Sequence, residues 1–379
     1  MRGRSSSVDT TSSLLRPVRG YVLYKLSAKE DPMDVYSLRR LTEEAQRMGV
    51  ELTVHAPESF DLLVTRDDRK SVRVDGVLRP LPDFLIPRMG SATTYFALAV
   101  IRHFERLGVV VLNSSQSVET VKDKLWSLQV LAESNLPIAK TLLVKQPIDK
   151  SFVAEAMGYP LIMKVLSGSH GEGVFLVESE GQLQDMLTLV SANAASGGAH
   201  LNLILQEFIA SSHGRDLRVI TVGGRAIGAM MRRATDGSFK ANITRGGVGL
   251  PYELNPEIEW LATETARVVG LDISGIDLLF DGEHFRICEA NSSPGFEGFE
   301  KYTGINVAAQ ILEFACVRVG RIDMLPSVKM PVPAPSTAPS EDPAAVPVPP
   351  QSPELPLDAL ALKDVDLAEP PPPEEAAGV

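Results

Sequence analysis

Residues 275–298, GIDLLFDGEHFRICEANSSPGFEG, constrain the chain more than any other stretch. Two runs rich in strand-forming residues, 275–280 and 284–290, flank Asp281-Gly282, and such a pattern reads as a β-hairpin. Three hard oxygen donors, Asp277, Glu289 and Asn291, interrupt the apolar sequence. Glu289 and Asn291 are two apart, so an extended chain places them on one face. Asp277 joins that face only if the connection holds an odd number of residues. A three-residue loop, Phe280-Asp281-Gly282 with Gly282 left-handed, meets this need, whereas a two-residue Asp-Gly turn sends Asp277 to the other side. Carboxylates gathered on a half-buried face repel one another unless a cation joins them. Two carboxylates and an amide oxygen suit Mg²⁺, which keeps several waters and binds phosphates. The bland alternative has Asp277 capping a turn while Glu289 meets an arginine.

The 379 residues are enough for two or three domains with a substantial core. The formal charge of −11 is mostly local. From Met330 onward nine acids face one base, Lys363, so the remainder is close to neutral and no bulk attraction to nucleic acid is expected. Cys288 and Cys316 sit in apolar surroundings and read as reduced core thiols. No apolar run approaches the roughly 20 residues of a membrane span. The first 20 residues lack the apolar core of a signal peptide. A cytoplasmic protein without membrane partners is the expectation.

The order of elements predicts a polar, disordered N-terminus over residues 1–18, then an α/β domain over 19–115. Alternating strands and helices there argue for a largely parallel sheet, with Arg88 just beyond a strand's C-terminal end. Two α+β units follow, 116–208 and 209–320. A glycine-rich loop over 167–173 follows the buried strand that carries Lys164, and residues 241–250 read as a mobile loop without periodicity. Residues 321–379 hold most of the 27 prolines and read as a disordered acidic tail, a candidate docking arm for partner domains.

Several further groups carry chemistry. Lys164 beside the glycine loop, and Lys124 in VKDKLWS, are candidate phosphate cations. The edge Gln206-Glu207-Phe208 offers backbone and carboxylate contacts to a nucleoside. Asp216 and Arg218 share a strand face, as a mutual salt bridge or as ligands to ribose and phosphate. Arg232, Arg233, Lys240, Asn242 and Arg245 cluster around the second glycine-rich segment and suit an anionic substrate.

Taken in order, these segments resemble the ATP-grasp ligases, and more closely their RimK-like branch. The matching stretches are PRMG, VKDKLWSLQVLAESNLPIAKT, SHGRDLRVITVGG, RATDGSFKANITRGG, GIDLLF and EANSSPGFEGFEKYTGINVA, within residues 80–318. The resemblance implies an ATP-grasp fold preceded by an N-terminal α/β (pre-ATP-grasp) domain, and a homotetramer. It implies that Lys124 and Lys164 bind ATP phosphates, and that Glu207 and Phe208 line the adenine and ribose pocket. Asp216, Lys240, Ala241 and Asn242 then contact the nucleotide, while Asp277, Glu289 and Asn291 hold Mg²⁺, with Mn²⁺ as its substitute. Phe208 stands where tyrosine is usual, which removes only a hydroxyl. The implied reaction is amide formation through an acyl phosphate, Lys164, Arg233 and Arg245 serving the chemistry and Arg88, Arg233 and Arg245 gripping substrates. L-Glutamate is the implied amine. The acceptor carboxylate is left open between a protein C-terminus, a polyglutamate chain and a small acid such as N-acetylaspartate. A catalytically silent nucleotide-binding regulator is the alternative from another class.

Overall fold

The computed structural model describes residues 16–25, 31–67, 71–145, 147–166, 173–195, 202–241, 243 and 246–325, the side chains of 193–195 excepted. The first part of the chain runs β1 (Arg19–Leu23), α1 (Tyr36–Met48), β2 (Glu51–His55), β3 (Phe60–Asp61), β4 (Ser71–Val74), β5 (Val77–Pro80), β6 (Phe84–Pro87), α2 (Tyr95–Arg106) and β7 (Val110–Val111). A parallel sheet forms in the order β2-β1-β6-β7, and β3, β4 and β5 make a small antiparallel sheet beside it. The central strand β6 is buried on both faces, so its sequence FLIP is an unbroken apolar run. Phe84 and Ile86 share a core with Leu38 and Leu41 of α1, while Leu85 shares one with Val100 and Ile101 of α2. Both helices carry these residues at helical spacing.

Two helices, α3 (Ser115–Lys122) and α4 (Lys124–Glu133), lead into β8 (Thr141–Leu143), α5 (Lys150–Ala156), β9 (Leu161–Val165), β10 (Val174–Val177), α6 (Glu180–Ala195) and β11 (Leu203–Glu207). These strands form an antiparallel sheet in the order β10-β9-β11-β8. The last part comprises β12 (Arg215–Val222), β13 (Arg225–Arg233), β14 (Val248–Tyr252), α7 (Pro256–Val268), β15 (Ile273–Asp281), β16 (His284–Asn291), α8 (Glu297–Thr303) and α9 (Val307–Arg318). Its antiparallel sheet runs β14-β13-β12-β15-β16. Helix α7 covers one face, with Ile258 and Leu261 against Leu217, Ile276 and Leu278. On the other face Phe299, Ile311 and Leu312 join the core that α1 shares with β6. This continuity fixes the first sheet against the last.

A polar network reinforces that seam. Glu300 accepts from the Tyr36 hydroxyl at 2.7 Å and from Arg40 Nε at 3.2 Å. Glu44 accepts from Arg40 at 2.9 Å and from the Asn306 amide at 2.7 Å. Burial opposes the Glu44 charge, but Asn306, Arg47 and Arg40 outweigh it and hold its carboxyl at about 2.

Three expectations change here. Residues 248–250, read as the end of a mobile loop, belong to β14, because β13 offers a free edge that pairs from Ala229 to Arg233. Pro251 is tolerated at this outermost position, and Gly249 lets the strand pass against the Tyr302 ring. Helix α8 was also not foreseen; seven residues with one buried side chain, Phe299, show little periodicity. Finally, the body continues past Gly320: Arg321 donates to the Arg16 carbonyl at 2.9 Å and Met324 packs on the core. Residues from 326 onward, like the polar N-terminus over 1–15, lie outside the described residues.

Candidate active site

The hairpin places its oxygen donors as anticipated, by a different device. Asp281 pairs with His284, so the connection is the two-residue turn Gly282-Glu283, with Gly282 at φ +63°. Alone, this even count would send Asp277 away from Glu289. A β-bulge restores the parity: Leu278 pairs with Ile287, Asp277 with Glu289, and Cys288 is the extra residue between. Asp277 and Glu289 are therefore direct neighbours across the strands, and Gly275 pairs with Asn291 two residues further on. The Asn291 amide donates to Glu289 Oε1 and to the Gly275 carbonyl, both at 3.3 Å.

The two neighbouring strands complete this face. In register, Arg218 on β12 lies opposite Asp277, and Asp216 lies opposite Arg232 on β13. Arg218 grips both Asp277 oxygens, at 2.7 and 2.6 Å, and Arg232 grips both Asp216 oxygens, at 2.6 and 2.8 Å. A third arm, Arg232 Nη2 to Asp277 Oδ2 at 3.0 Å, joins the pairs into one buried quartet of zero net charge. Burial works against the Asp277 carboxylate, but Arg218 and Arg232 prevail and hold it below the usual range. The mutual Asp216–Arg218 bridge considered from sequence does not form; each residue pairs with a neighbouring strand instead. The arginine expected near Glu289 is at Asp277.

All of these open on a cleft of about 1300 Å³ between the three sheets. Lys164 reaches it from β9, with Nζ 3.7 Å from Cys288 Sγ. Lys124 reaches it from the first turn of α4, where Asp123 caps the helix by accepting from Leu125 and Trp126. Glu207 and Phe208 line the opposite edge. Glu207 is already engaged, accepting from Arg286 at 2.9 Å and from the Lys140 backbone at 3.2 Å. Phe208 is set edge-on to His213 at 6.1 Å. Lys240 and Ala241 also line the cleft, with Lys240 Nζ 5.4 Å from the Phe239 ring centre. Asn242, Arg245 and the glycine-rich loop over 167–172 lie outside the described residues. Arg233 is not brought to the cleft: strand alternation turns Arg232 inward, and Arg233 is exposed.

Arg88 stands apart. It is 5% exposed, donates from Nη2 to the Pro294 carbonyl at 2.7 Å, and lies 5.2 Å from the Phe296 ring centre. Among the described residues its Nε and Nη1 have no hydrogen-bond partner and no carboxylate pairs with it. Burial pushes its pKa down to about 10. Other lining groups escaped the sequence reading, among them Lys122, which donates to the Thr93 carbonyl at 2.6 Å, and Arg215, stacked 4.5 Å from the Phe280 ring centre. Burial pushes the Cys288 thiol up despite Lys164, which disfavours its thiolate.

The model for the RimK-like ATP-grasp domain matches residues 121–315, and the model for the RimK pre-ATP-grasp domain matches residues 26–118. The chain belongs to the RimK-like ATP-grasp family. Probable alpha-L-glutamate ligases of Legionella pneumophila (strain Corby) and Marinomonas sp. (strain MWYL1) are 35% and 36% identical over 281 residues, 74% of this chain and 91% of each relative. Solved structures share the fold. The ATP-grasp ligase PsnB complexed with minimal precursor, Mg and ADP superposes with a TM-score of 0.60 at 19% identity, over 79% of this chain and 98% of its own. The D-alanine–D-alanine ligase of Bacillus anthracis complexed with ATP gives 0.56 at 14% identity, over 81% and 98%. The protein is thus an ATP-grasp ligase, its fold an α/β domain followed by the ATP-grasp. Among the described residues no helix is long and apolar enough to cross a membrane.

Proposed function

We propose that this ligase joins the amine of L-glutamate to a carboxylate at the end of a peptide or protein chain, using ATP and Mg²⁺. The observation that carries the reading is the distribution of charge in the cleft. Lys124 and Lys164 face the same space as Glu289 and Asn291, while the buried cation Arg88 has no counter-anion among the described residues. Cations near carboxylates suit a nucleotide with its metal; a buried, uncompensated guanidinium suits a substrate carboxylate. The names of the curated relatives support glutamate, and the PsnB ligase, which is complexed with a precursor peptide, supports a peptide as acceptor. The cleft volume, about 1300 Å³, exceeds the usual 300–1,000 Å³ of a small-ligand site and leaves room for nucleotide and chain together.

The residues fit a bound Mg²⁺. The carbonyl oxygen of Asn291 and the carboxylate of Glu289 would hold it together with Asp277, which accepts three hydrogen bonds where a carboxylate offers about four sites. When bound, the ion supplies charge neutralisation across the terminal phosphates. In the reaction an acceptor carboxylate oxygen attacks the γ-phosphorus and ADP leaves. The glutamate nitrogen, once its ammonium has given one proton to solvent, attacks the acyl carbon; phosphate leaves and the nitrogen loses a second proton. Lys124 and Lys164 hold the phosphates while charge shifts, and the protein contributes position and field in place of a nucleophile. Incubating the protein with ATP, Mg²⁺, L-glutamate and either a peptide or N-acetylaspartate, followed by mass spectrometry, tests this. A gain of one or more glutamyl units on the peptide is expected. ADP release without any amide product, or product on the small acid alone, overturns the reading.

A further inference from the structure

From this reading of the amine substrate, we infer that Glu297 and Lys301 of α8, together with Arg88, form the subsite that recognises glutamate. Their arrangement follows from contacts already described. Arg88 lies against Phe296 and donates to Pro294, which anchors its charge beside the start of α8. Glu297 is the next residue, and Lys301 follows one turn later, so the two share a helix face. All three line the cleft.

Glu followed by Lys at four-residue spacing is the favourable order for a helical ion pair, and the bland account of Glu297 and Lys301 is such a pair on a solvated face. The structure does not form it: among the described residues neither side chain has a salt-bridge partner. Among the described residues Lys301 Nζ instead lies 5.4 Å from the centre of the neighbouring Tyr302 ring. Burial and Glu300 are what chiefly raise the Tyr36 phenol of α1, and the charge of Glu297 adds to them. This wall of the cleft therefore presents two cations and an anion. Zwitterionic glutamate presents carboxylate, ammonium, carboxylate. Arg88 and Lys301 take its two carboxylates and Glu297 takes the ammonium. Glutamine or a monocarboxylic amino acid leaves one cation unanswered, which supplies selectivity.

The test uses the full-length protein with a peptide acceptor at saturating ATP and Mg²⁺. Glu297→Gln and Lys301→Met are compared with wild type by the KM for L-glutamate and the KM for ATP, with melting temperatures as a check on folding. Each exposed-residue variant should melt like wild type, raise the glutamate KM about tenfold or more, and leave the ATP KM within about twofold. Lys301→Met should also narrow the preference for glutamate over glutamine. An unchanged glutamate KM in both variants, with wild type forming glutamyl product, overturns the subsite and leaves the proposed activity standing. Wild type that forms amide with other amino acids but none with glutamate overturns both.

Discussion

Replacing Asp277 with asparagine separates two roles that the same carboxylate plays. As a donor to a metal it matters only when metal is present. As a member of the quartet it matters always, because it answers Arg218 at 2.7 and 2.6 Å and Arg232 at 3.0 Å. Asparagine keeps the shape but turns an NH₂ toward guanidinium donors and leaves the quartet with a net charge of +1 in a buried setting. Breaking a buried ion pair by removing one partner costs about 3–5 kcal/mol, and at about 2–4 °C per kcal/mol the melting temperature should fall by at least about 6 °C. Glu289→Gln removes a donor of the same site yet meets no arginine among the described residues. Its cost should stay within about 1 kcal/mol. The assay is thermal unfolding of wild type, Asp277→Asn and Glu289→Gln in the presence of a chelator. A large drop for the first with little for the second is expected, while both lose ligase activity when Mg²⁺ is restored. Asp277→Asn melting like wild type in chelator refutes the argument, since the three short contacts would then contribute nothing to the fold. This also means that an inactive Asp277 variant, taken alone, does not establish metal binding.

Other outcomes follow from single contacts. Arg88→Met loses the Pro294 bond, worth about 0.5–1.5 kcal/mol, but also removes two buried donors without partners; stability should change little while the KM for a carboxylate substrate rises at least about tenfold, and a collapse in melting temperature instead would make Arg88 a structural residue. Glu44, held at about 2 against its ordinary 4.5, contributes stability that is complete above pH 4.5 and is lost as pH falls toward 2. Denaturant titrations of wild type and Glu44→Gln should therefore converge across that window, and a constant gap would contradict the pairing with Asn306, Arg47 and Arg40. Gly20→Ala drives a Cβ into the Phe84 ring and Leu52 at the centre of the parallel sheet, which should cost about 1–3 kcal/mol by overpacking; equilibrium unfolding reads it, and a neutral variant would show that the sheet can shift to make room.

Much of the fold was legible because its elements are locally coded. Unbroken apolar runs marked the parallel strands, helical spacing marked α1 and α2, and Gly49, at φ +72°, closed α1 as a left-handed cap should. The hairpin and its three oxygen donors were legible for the same reason. The bulge at Cys288 was not, since nothing in ICEA distinguishes an extra residue from a paired one; pairing with β15 decides it. The same holds for β14, which owes its form to the free edge of β13, and for Arg232 against Arg233. Two adjacent arginines are equivalent as letters, and only the register that sets Arg232 opposite Asp216 turns one inward.

That distinction between types and pairings also sorts the charges of the cleft. Sequence marked Asp216 with Arg218, Arg232 within an arginine cluster and Asp277 within the hairpin, without showing that the four neutralise one another. Once paired, they are committed: their geometry is fixed before any ligand arrives, and a ligand gains little Coulomb energy from a cluster whose charge is zero. Arg88, Glu297 and Lys301 are the converse. No described side chain answers them with an opposite charge, so the free energy of compensating them remains available to whatever enters. The quartet therefore serves position, and the uncompensated wall serves recognition. A substrate preference should be far more sensitive to changes at Arg88, Glu297 and Lys301 than to any conservative change within the quartet, whose failures should appear first as instability.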